Sequence, residues 1–277
     1  MSTNIQLPLL EPNPIEETES DSDVDDDEAI GAPLFSMSSY HRHAPDINSA
    51  NADLTKHLDM FRRQMKIKVR GNDIPDPIAS FDDMKCPSHA QYLKKILLRN
   101  IERSQYTEPT PVQMQAIPPM LLKRDVLAIA PTGSGKTAAF VIPIVAGLHA
   151  SSGIGAIILA PTRELAQQIH IECLRLSRGK KFRICLLTKA TASTLISQIK
   201  TNRPQQDIIV ATPLRLVHLI KDHQLDLSSV QTICLDEADR LFDMGFAQQI
   251  DEVLAACTNK NIHRAMFSAT MLQVRTR

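Results

Sequence analysis

No C-x-x-C pair occurs in this chain, and its five cysteines (Cys86, Cys173, Cys185, Cys234 and Cys257) are scattered. That spacing argues against a zinc site or a dithiol centre built on cysteine. Cys173, Cys185 and Cys234 stand inside apolar runs and read as small core residues. Reduced thiols fit the cytosol or nucleus. Long hydrophobic runs are also missing. The longest, residues 138–148, spans about eleven positions and contains Pro143, too short to cross a bilayer. Met1-Ser2-Thr3-Asn4 places no basic segment ahead of an apolar core, so no secretory signal is expected. Lys and Arg are absent from residues 1–28, which hold ten acids: Glu11, Glu16, Glu17, Glu19, Asp21, Asp23, Asp25, Asp26, Asp27 and Glu28.

That last absence hides behind a formal net charge of zero. The other residues carry 31 basic against 21 acidic side chains, a net +10. A basic body with an acidic tail suits a polyanion partner, although many enzymes carry a basic surface for solubility alone. Residues 1–55 are rich in acid, Ser, Asn and Pro and show little hydrophobic periodicity. Such a segment buries too little apolar surface to offset its ordering entropy and is expected to be a disordered acidic tail. Ser20 and Ser22 sit among its acids, a setting acidophilic kinases favour; a plain solubilising tail is the other reading. Residues 56–80 read as a basic linker. A short helix is expected over 54–70, running into Arg62, Arg63, Lys66, Lys68 and Arg70, which either touch a phosphate backbone or form a solvated face. Gly71-Asn72-Asp73 and then Pro75 and Pro77 mark a turn and an extended segment.

From residue 81 onward the pattern is regular. Strands are expected at 126–130, 156–160, 182–187, 207–211, 231–235 and 264–268, with helices near 136–149, 163–177, 191–201, 214–222 and 246–257. Strand cores such as Ile-Ile-Leu, Ile-Ile-Val and Ile-Cys-Leu are apolar on both faces, the mark of a parallel sheet covered on both sides. Strand–helix alternation then predicts right-handed crossovers and a doubly wound α/β domain over 81–277, with ligands beyond the carboxyl ends of the strands.

Two motifs stand at such ends. Ala130-Pro131-Thr132-Gly133-Ser134-Gly135-Lys136-Thr137 lies between an expected strand and an expected helix. Gly133 and Gly135 let backbone N–H groups face phosphate oxygens, and the helix start adds a favourable dipole. Lys136 can reach the β- and γ-phosphates, and Thr137 can offer its hydroxyl to Mg²⁺. The second motif, Asp236-Glu237-Ala238-Asp239, ends the run Thr232-Ile233-Cys234-Leu235. Asp236 can hold the water shell of Mg²⁺ and Glu237 can polarise an attacking water. Asp239 with Ser268 and Thr270 could link adjacent strand ends through hydrogen bonds. Two acids after a strand are more often a solvated turn; the phosphate loop upstream reverses that balance.

In chain order come Pro109-Thr110-Pro111-Val112-Gln113, the phosphate loop, Pro161-Thr162-Arg163-Glu164-Leu165-Ala166, Thr212-Pro213-Leu214-Arg215, Asp-Glu-Ala-Asp and Ser268-Ala269-Thr270. This order, over roughly residues 79–270, closely resembles the first RecA-like lobe of DEAD-box ATP-dependent RNA helicases. The resemblance implies ATP and Mg²⁺ as cofactors and RNA as partner. It implies that Thr110 and Gln113 bind the nucleotide, Gln113 reading the adenine edge, with Phe81 and Tyr106 packed at the base; ordinary core packing is the other reading of Phe81. Ala130, Thr132, Gly133, Ser134, Gly135, Lys136 and Thr137 would hold the phosphates, and Lys136, Asp236 and Glu237 would carry catalysis. Pro161, Thr162, Arg163 and Glu164, with Thr212, Pro213 and Arg215, would grip the RNA sugar–phosphate backbone without reading sequence. Read without the family, Arg163 and Arg215 could be surface ion-pair partners. Asp239, Ser268 and Thr270 would couple hydrolysis to strand separation.

Two departures stand out. Leu214 replaces the usual glycine of Thr-Pro-Gly-Arg, and Leu187-Thr188-Lys189-Ala190 stands where a Gly-Gly pair is usual. With the flank from Phe61 to Ile78, these resemble the branch that assists small-subunit ribosomal RNA processing in the nucleolus. Pre-ribosomal RNA and proteins would be partners, with a monomeric chain and no membrane. The family's second lobe, on the order of 150 residues, lies outside this sequence. The chain alone is therefore expected to bind nucleotide weakly and unwind little. The alternative expectation is a non-catalytic ATP- and RNA-binding module. An ATPase acting on protein or a small molecule is disfavoured by the ordered RNA motifs.

Overall fold

In a computed structural model, the structure describes residues 47–86, 91–148, 153–200, 206–223 and 225–271. The acidic segment, with Ser20, Ser22 and the amino terminus, lies outside the described residues, as do 272–277. Six strands, β1 (Val126–Ile129), β2 (Ala156–Leu159), β3 (Ile184–Leu186), β4 (Ile208–Ala211), β5 (Thr232–Leu235) and β6 (His263–Ser268), form one parallel sheet in the order β1-β6-β5-β2-β4-β3. Nine α-helices appear among the described residues: α1 (Ile47–Gln64), α2 (Gln91–Arg103), α3 (Pro111–Leu121), α4 (Lys136–Gly147), α5 (Arg163–Leu176), α6 (Lys189–Lys200), α7 (Pro213–His223), α8 (Ala238–Asp243) and α9 (Ala247–Ala256). From residue 81 onward, each expected strand and helix is present to within about three residues of its expected bounds.

The two-residue period of the strands divides one sheet between two cores. Ile158, Val210, Cys234 and Phe267 face the first, where Leu97 and Ile101 of α2, Ile117 of α3, Phe140 and Val145 of α4, and Ile169 of α5 pack on them. Phe140 and Phe267 meet there with ring centroids 5.1 Å apart. Ile157, Leu159, Ile209 and Ile233 face the second core, covered by Leu195 of α6, Leu216 of α7, Leu241 of α8 and Val253 of α9. The sheet is therefore doubly wound, as the strand composition predicts. All five cysteines are buried and none forms a disulfide, Cys86 and Cys257 included.

The expectation of apolar burial on both faces holds for β2, β4 and β5 but fails for β1. Leu127 and Ile129 are 54% and 42% exposed, because β1 pairs only with β6 among the described residues. The helix expected over 54–70 instead occupies Ile47–Gln64, starting within the segment read as tail. It ends where Lys66 adopts φ +54, Lys66 N–H reaching Arg63 O at 3.0 Å and Ile67 N–H reaching Arg62 O at 2.8 Å. This is a Schellman cap with lysine in the left-handed position that usually takes glycine. Arg62 is spent on the fold: its Nε donates to Gln115 Oε1 and its Nη2 to Pro75 O. The flank is further tied down by Ile78 N–H to Met114 O at 3.0 Å. No described helix is long and apolar enough to cross a membrane.

Candidate functional site

Because all strands run parallel, their carboxyl ends line one rim. Along it stand, in sheet order, the phosphate loop after β1, Ser268 ending β6, Asp236 after β5, Thr162 after β2, Thr212 after β4 and Thr188 after β3. The register Ile129↔Ser268, Leu235↔Met266, Leu159↔Leu235 and Leu159↔Ala211 fixes which neighbours touch. The phosphate-loop, acidic and coupling residues thus gather on β1, β6 and β5, while Phe81, Tyr106, Thr110 and Gln113 come from segments before β1. The predicted RNA residues gather on β2 and β4.

Gly133 and Gly135 take φ +77 and +87, a left-handed pair that turns the loop amides inward. Gly135 is also the N-cap of α4, whose first-turn N–H groups have no partner within the helix. A Cβ on Gly135 would come within 2.4 Å of Gln113 Nε2. The Lys136 ammonium donates to Ala130 O at 2.6 Å and Pro131 O at 2.8 Å. Phosphate oxygens entering the loop would take over those bonds. Ser134 Oγ donates to Pro131 O at 2.7 Å. Ala130 N–H is tied to Ser268 O at 3.1 Å, joining the loop to β6. Thr132 is exposed and Thr137 half-buried, both accessible to a ligand.

Gln113 is fully buried, and both ends of its amide are engaged. Its Oε1 accepts from Thr110 N–H at 3.0 Å, and its Nε2 donates to Gly135 O at 3.0 Å. Each end of the amide keeps a second hydrogen-bonding site, so bracing the phosphate loop is compatible with the expected reading of adenine. Thr110 Oγ1 beside it is buried with no hydrogen-bond partner, an orphaned group that a bound nucleotide could satisfy. Phe81 is buried in the first core, so its surroundings favour the packing reading. Tyr106 donates its hydroxyl to Glu172 Oε1 and accepts from Arg175 Nη2, both at 2.9 Å. Burial first and the Glu172 hydrogen bond second push its pKa up to about 12.

Asp236 is buried, and burial pushes its carboxyl up to about 6, with the Glu237 amide and the Lys136 charge pulling the other way. A hard cation could use this oxygen and the Thr137 hydroxyl, phosphate oxygens and water completing its shell. That donor set fits Mg²⁺. Glu237 sits at φ +49, a left-handed conformation rare for this residue type, and pairs with Arg240 Nη1 at 2.9 Å. That Arg240 clamp gave no sequence signal beyond its i,i+3 spacing. Asp239 closes the link to β6: its Oδ2 accepts from Ala269 N–H at 3.2 Å, Thr270 N–H at 2.9 Å and Thr270 Oγ1 at 2.8 Å. Partial burial opposes its ionisation, but the Thr270 and Ser268 hydroxyls outweigh that and draw it down to about 2.

On the RNA half, Thr162 Oγ1 caps α5 by accepting Leu165 N–H at 3.2 Å. Ala160 N–H bonds Ala211 O at 3.0 Å, setting Pro161-Thr162 beside Thr212-Pro213. Arg163 and Glu164 are exposed and Arg215 half-buried. Neither arginine enters an ion pair among the described residues, which removes the observation an ion-pair reading would need. Leu214, in place of glycine, points into solvent at the first turn of α7. Thr188 and Thr191 cap α6 reciprocally: Thr191 Oγ1 accepts from Thr188 N–H at 2.8 Å and Thr188 Oγ1 from Thr191 N–H at 3.2 Å. A capped helix start therefore stands where a Gly-Gly pair would leave the chain pliable.

Residues 110–276 match the DEAD/DEAH box helicase family. A probable ATP-dependent RNA helicase ddx52 of Dictyostelium discoideum is 47% identical over 222 residues, 79% of this chain and 32% of that protein. The ATP-dependent RNA helicase ROK1 of Saccharomyces cerevisiae is 42% identical over 226 residues, 78% of this chain and 39% of that protein. The chain therefore spans well under half the length of these relatives. Among solved structures, a DEAD box protein from the hyperthermophile Methanococcus jannaschii superposes with TM-score 0.62 at 35% identity, covering 71% of this chain and 51% of that one. The yeast DEAD-box splicing factor Prp28 gives TM-score 0.66 at 31% identity, covering 79% and 53%.

Proposed function

This chain belongs to the DEAD/DEAH box helicase family, and from that premise we propose that it supplies the ATP-binding and RNA-gripping lobe of an ATP-dependent RNA helicase. The observation that carries this reading is the order of the rim. The phosphate loop follows β1 and the acidic motif follows β5, with β6 between them, and β5 borders β2, which with β4 carries the RNA motifs.

Lys136 and the α4 amides would neutralise the β- and γ-phosphates, while Thr137 and Asp236 would hold Mg²⁺. The cation, when bound, offsets charge on the phosphoryl group. Glu237, held by Arg240, would orient the attacking water and accept its proton. Asp239, bonded to Ala269 and Thr270, ties the acidic loop to the end of β6, so motion of one strand end is felt at the other. Arg163 and Arg215 would hold RNA phosphates, giving affinity without sequence preference. The similarity to ATP-dependent RNA helicases supports RNA as the partner, and the flank with Leu214 and Leu187-Thr188-Lys189-Ala190, which resembles the ribosomal RNA-processing branch, supports pre-ribosomal RNA and proteins as partners and the nucleolus as the site of action.

Binding of a fluorescent ATP analogue with Mg²⁺, and of single-stranded RNA, tests the reading on this chain. Lys136→Ala should abolish the first, and Arg163→Ala with Arg215→Ala should weaken the second at least tenfold. RNA binding indifferent to both arginines would sink the RNA half. A tagged chain that stays out of nucleoli would overturn the ribosomal assignment.

A further inference from the structure

Away from the rim, the exposed face of α2 carries charge that the nucleotide and RNA motifs do not use. Lys95, Arg99 and Arg103 recur at every fourth residue, so they form one ridge with steps of about 6 Å along the helix. Tyr92, one turn ahead of Lys95, is 73% exposed on the same side. Its neighbours Lys94, Lys95 and Leu98, with Asp82, line an open cavity of about 580 Å³. A second element joins this face. Asn100 Nδ2 donates to Leu176 O at 2.9 Å and Arg178 O at 2.7 Å, pinning the turn after α5 against α2. Gly179 in that turn lies against Ile96, 3.7 Å from where its Cβ would stand. Arg178 and Lys181 of the turn are exposed.

Five exposed cations therefore come together from two segments distant in sequence. None of the five enters an ion pair among the described residues. The acids beside them are Glu102 on α2 and Asp82, whose backbone carbonyl accepts from Lys94 Nζ at 2.5 Å. A merely solvated helix face interleaves both signs in comparable number. This one sets five exposed cations against Glu102 and Asp82 and carries a large aromatic ring that is 73% exposed. Cations that follow a backbone, with an aromatic ring on which a base can stack, are the two elements of sequence-tolerant single-strand recognition. The turn after α5 is about 21 Å from the start of α5 at the rim, so this surface is separate from Arg163.

We propose that the α2 face and the 178–181 turn form a second RNA-contacting surface, which holds a single-stranded segment through Lys95, Arg99, Arg103, Arg178 and Lys181 while Tyr92 stacks on a base. The proposal rests on the RNA reading above. It adds a tether that keeps an RNA attached when the rim lets go, which suits an enzyme acting repeatedly on one large transcript.

Oligouridine of about 16 nucleotides, titrated into the full chain across a salt series, tests it. Each phosphate deprived of its cation should lower the log–log salt slope by about 0.7. Lys95→Ala with Arg99→Ala and Arg103→Ala should therefore reduce the slope by about 2 and the affinity at least tenfold. Tyr92→Ala should cut affinity about fivefold or more and leave the slope unchanged. Binding of the ATP analogue should be untouched in both, which also verifies folding. If the α2 variants keep wild-type affinity and slope while Arg163→Ala with Arg215→Ala loses binding, the tether is wrong and the rim reading stands. If the α2 variants lose binding to an oligoglutamate peptide but not to RNA, the surface serves an acidic protein segment and the proposal falls. If the unaltered chain binds no RNA, both the tether and the RNA half of the function fall together.

Discussion

Gln113 and Gly135, 22 residues apart, are joined by a 3.0 Å hydrogen bond from the glutamine amide to the glycine carbonyl. Nothing else described in the site links the segment before the phosphate loop so directly to the loop itself. The glutamine is anchored on its other side by the Thr110 amide, so the carbonyl at the start of α4 is held from outside the loop. Replacing Gln113 by Glu removes the donor and turns a carboxylate oxygen toward the Gly135 carbonyl. The Gly135 carbonyl keeps only the Ala139 N–H at 3.1 Å, and the carboxylate oxygen facing it has no donor, which should cost about 1–3 kcal/mol. Thermal unfolding should show a lower Tm, and affinity for the ATP analogue should drop at least tenfold. Unchanged nucleotide affinity would show that the bond is incidental to loop geometry. Gly135→Ala should be worse still, since its φ of +87 and the 2.4 Å approach to Gln113 leave a methyl no room.

Asp236 should trade stability for binding. Its carboxyl value is raised from 3.8 to about 6. The folded state therefore holds the proton more tightly than the unfolded chain does. The stability this group contributes is complete below about pH 3.8 and is lost as pH rises through about 6. At neutral pH the buried carboxylate is a burden on the nucleotide-free protein. Asp236→Asn should raise its stability by on the order of 1–3 kcal/mol and abolish Mg²⁺-dependent nucleotide binding. A variant that is both less stable and inactive would show that the carboxylate is satisfied in ways the geometry does not reveal.

The strands β2, β4 and β5 were plain in the sequence because each is an uninterrupted, mostly apolar run rich in β-branched residues and bounded by turns. That β1 is an edge was not, because Val-Leu-Ala-Ile reads the same with one neighbour or two. α3 escaped periodicity: Pro118 and Pro119 fall inside it, and its apolar residues do not keep to one side. What shelters those prolines is tertiary, since Ile117, Met120 and Leu121 are locked into the first core. In the site, residue types suited to phosphate were legible because a strand end, a glycine loop and a lysine are local. The state of Gln113 was not, because its partner is fixed by how α3 packs on α4, which no spacing encodes.

The Arg183–Asp207 pair at the edge of the sheet should show a marked asymmetry. Arg183 Nη2 meets Asp207 Oδ1 at 2.8 Å, and Asp207 Oδ2 also accepts from Arg183 N–H at 2.8 Å. The side chains are 34% and 2% exposed respectively. Arg183→Met leaves the buried carboxylate with the backbone N–H at 2.8 Å but no counter-charge and should cost about 3 kcal/mol or more. Asp207→Ala leaves a guanidinium that can turn to water and should cost less, about 1–3 kcal/mol for the orphaned amide. Urea unfolding of both variants compares them directly. Equal losses would mean that water already reaches Asp207.

His263 gives the fold an acid limit. Its Nε2 lies 3.0 Å from Thr232 Oγ1, while its Nδ1 is buried with no hydrogen-bond partner. Burial first, and then the charge of Lys123, lower its pKa below 6.5, with Asp125 opposing them. An imidazole neutral in the folded state and protonated in the unfolded one favours unfolding in acid. Its stabilising contribution is therefore complete above pH 6.5 and is lost as pH falls below that toward the depressed folded value. His263→Gln keeps a group able to reach Thr232 but cannot titrate. The unfolding free energy of the parent should decline between about pH 7 and pH 5 more steeply than that of the variant. Two parallel declines would assign the acid sensitivity to other groups, and a variant that is much less stable at neutral pH would show that the ring's packing outweighs its charge.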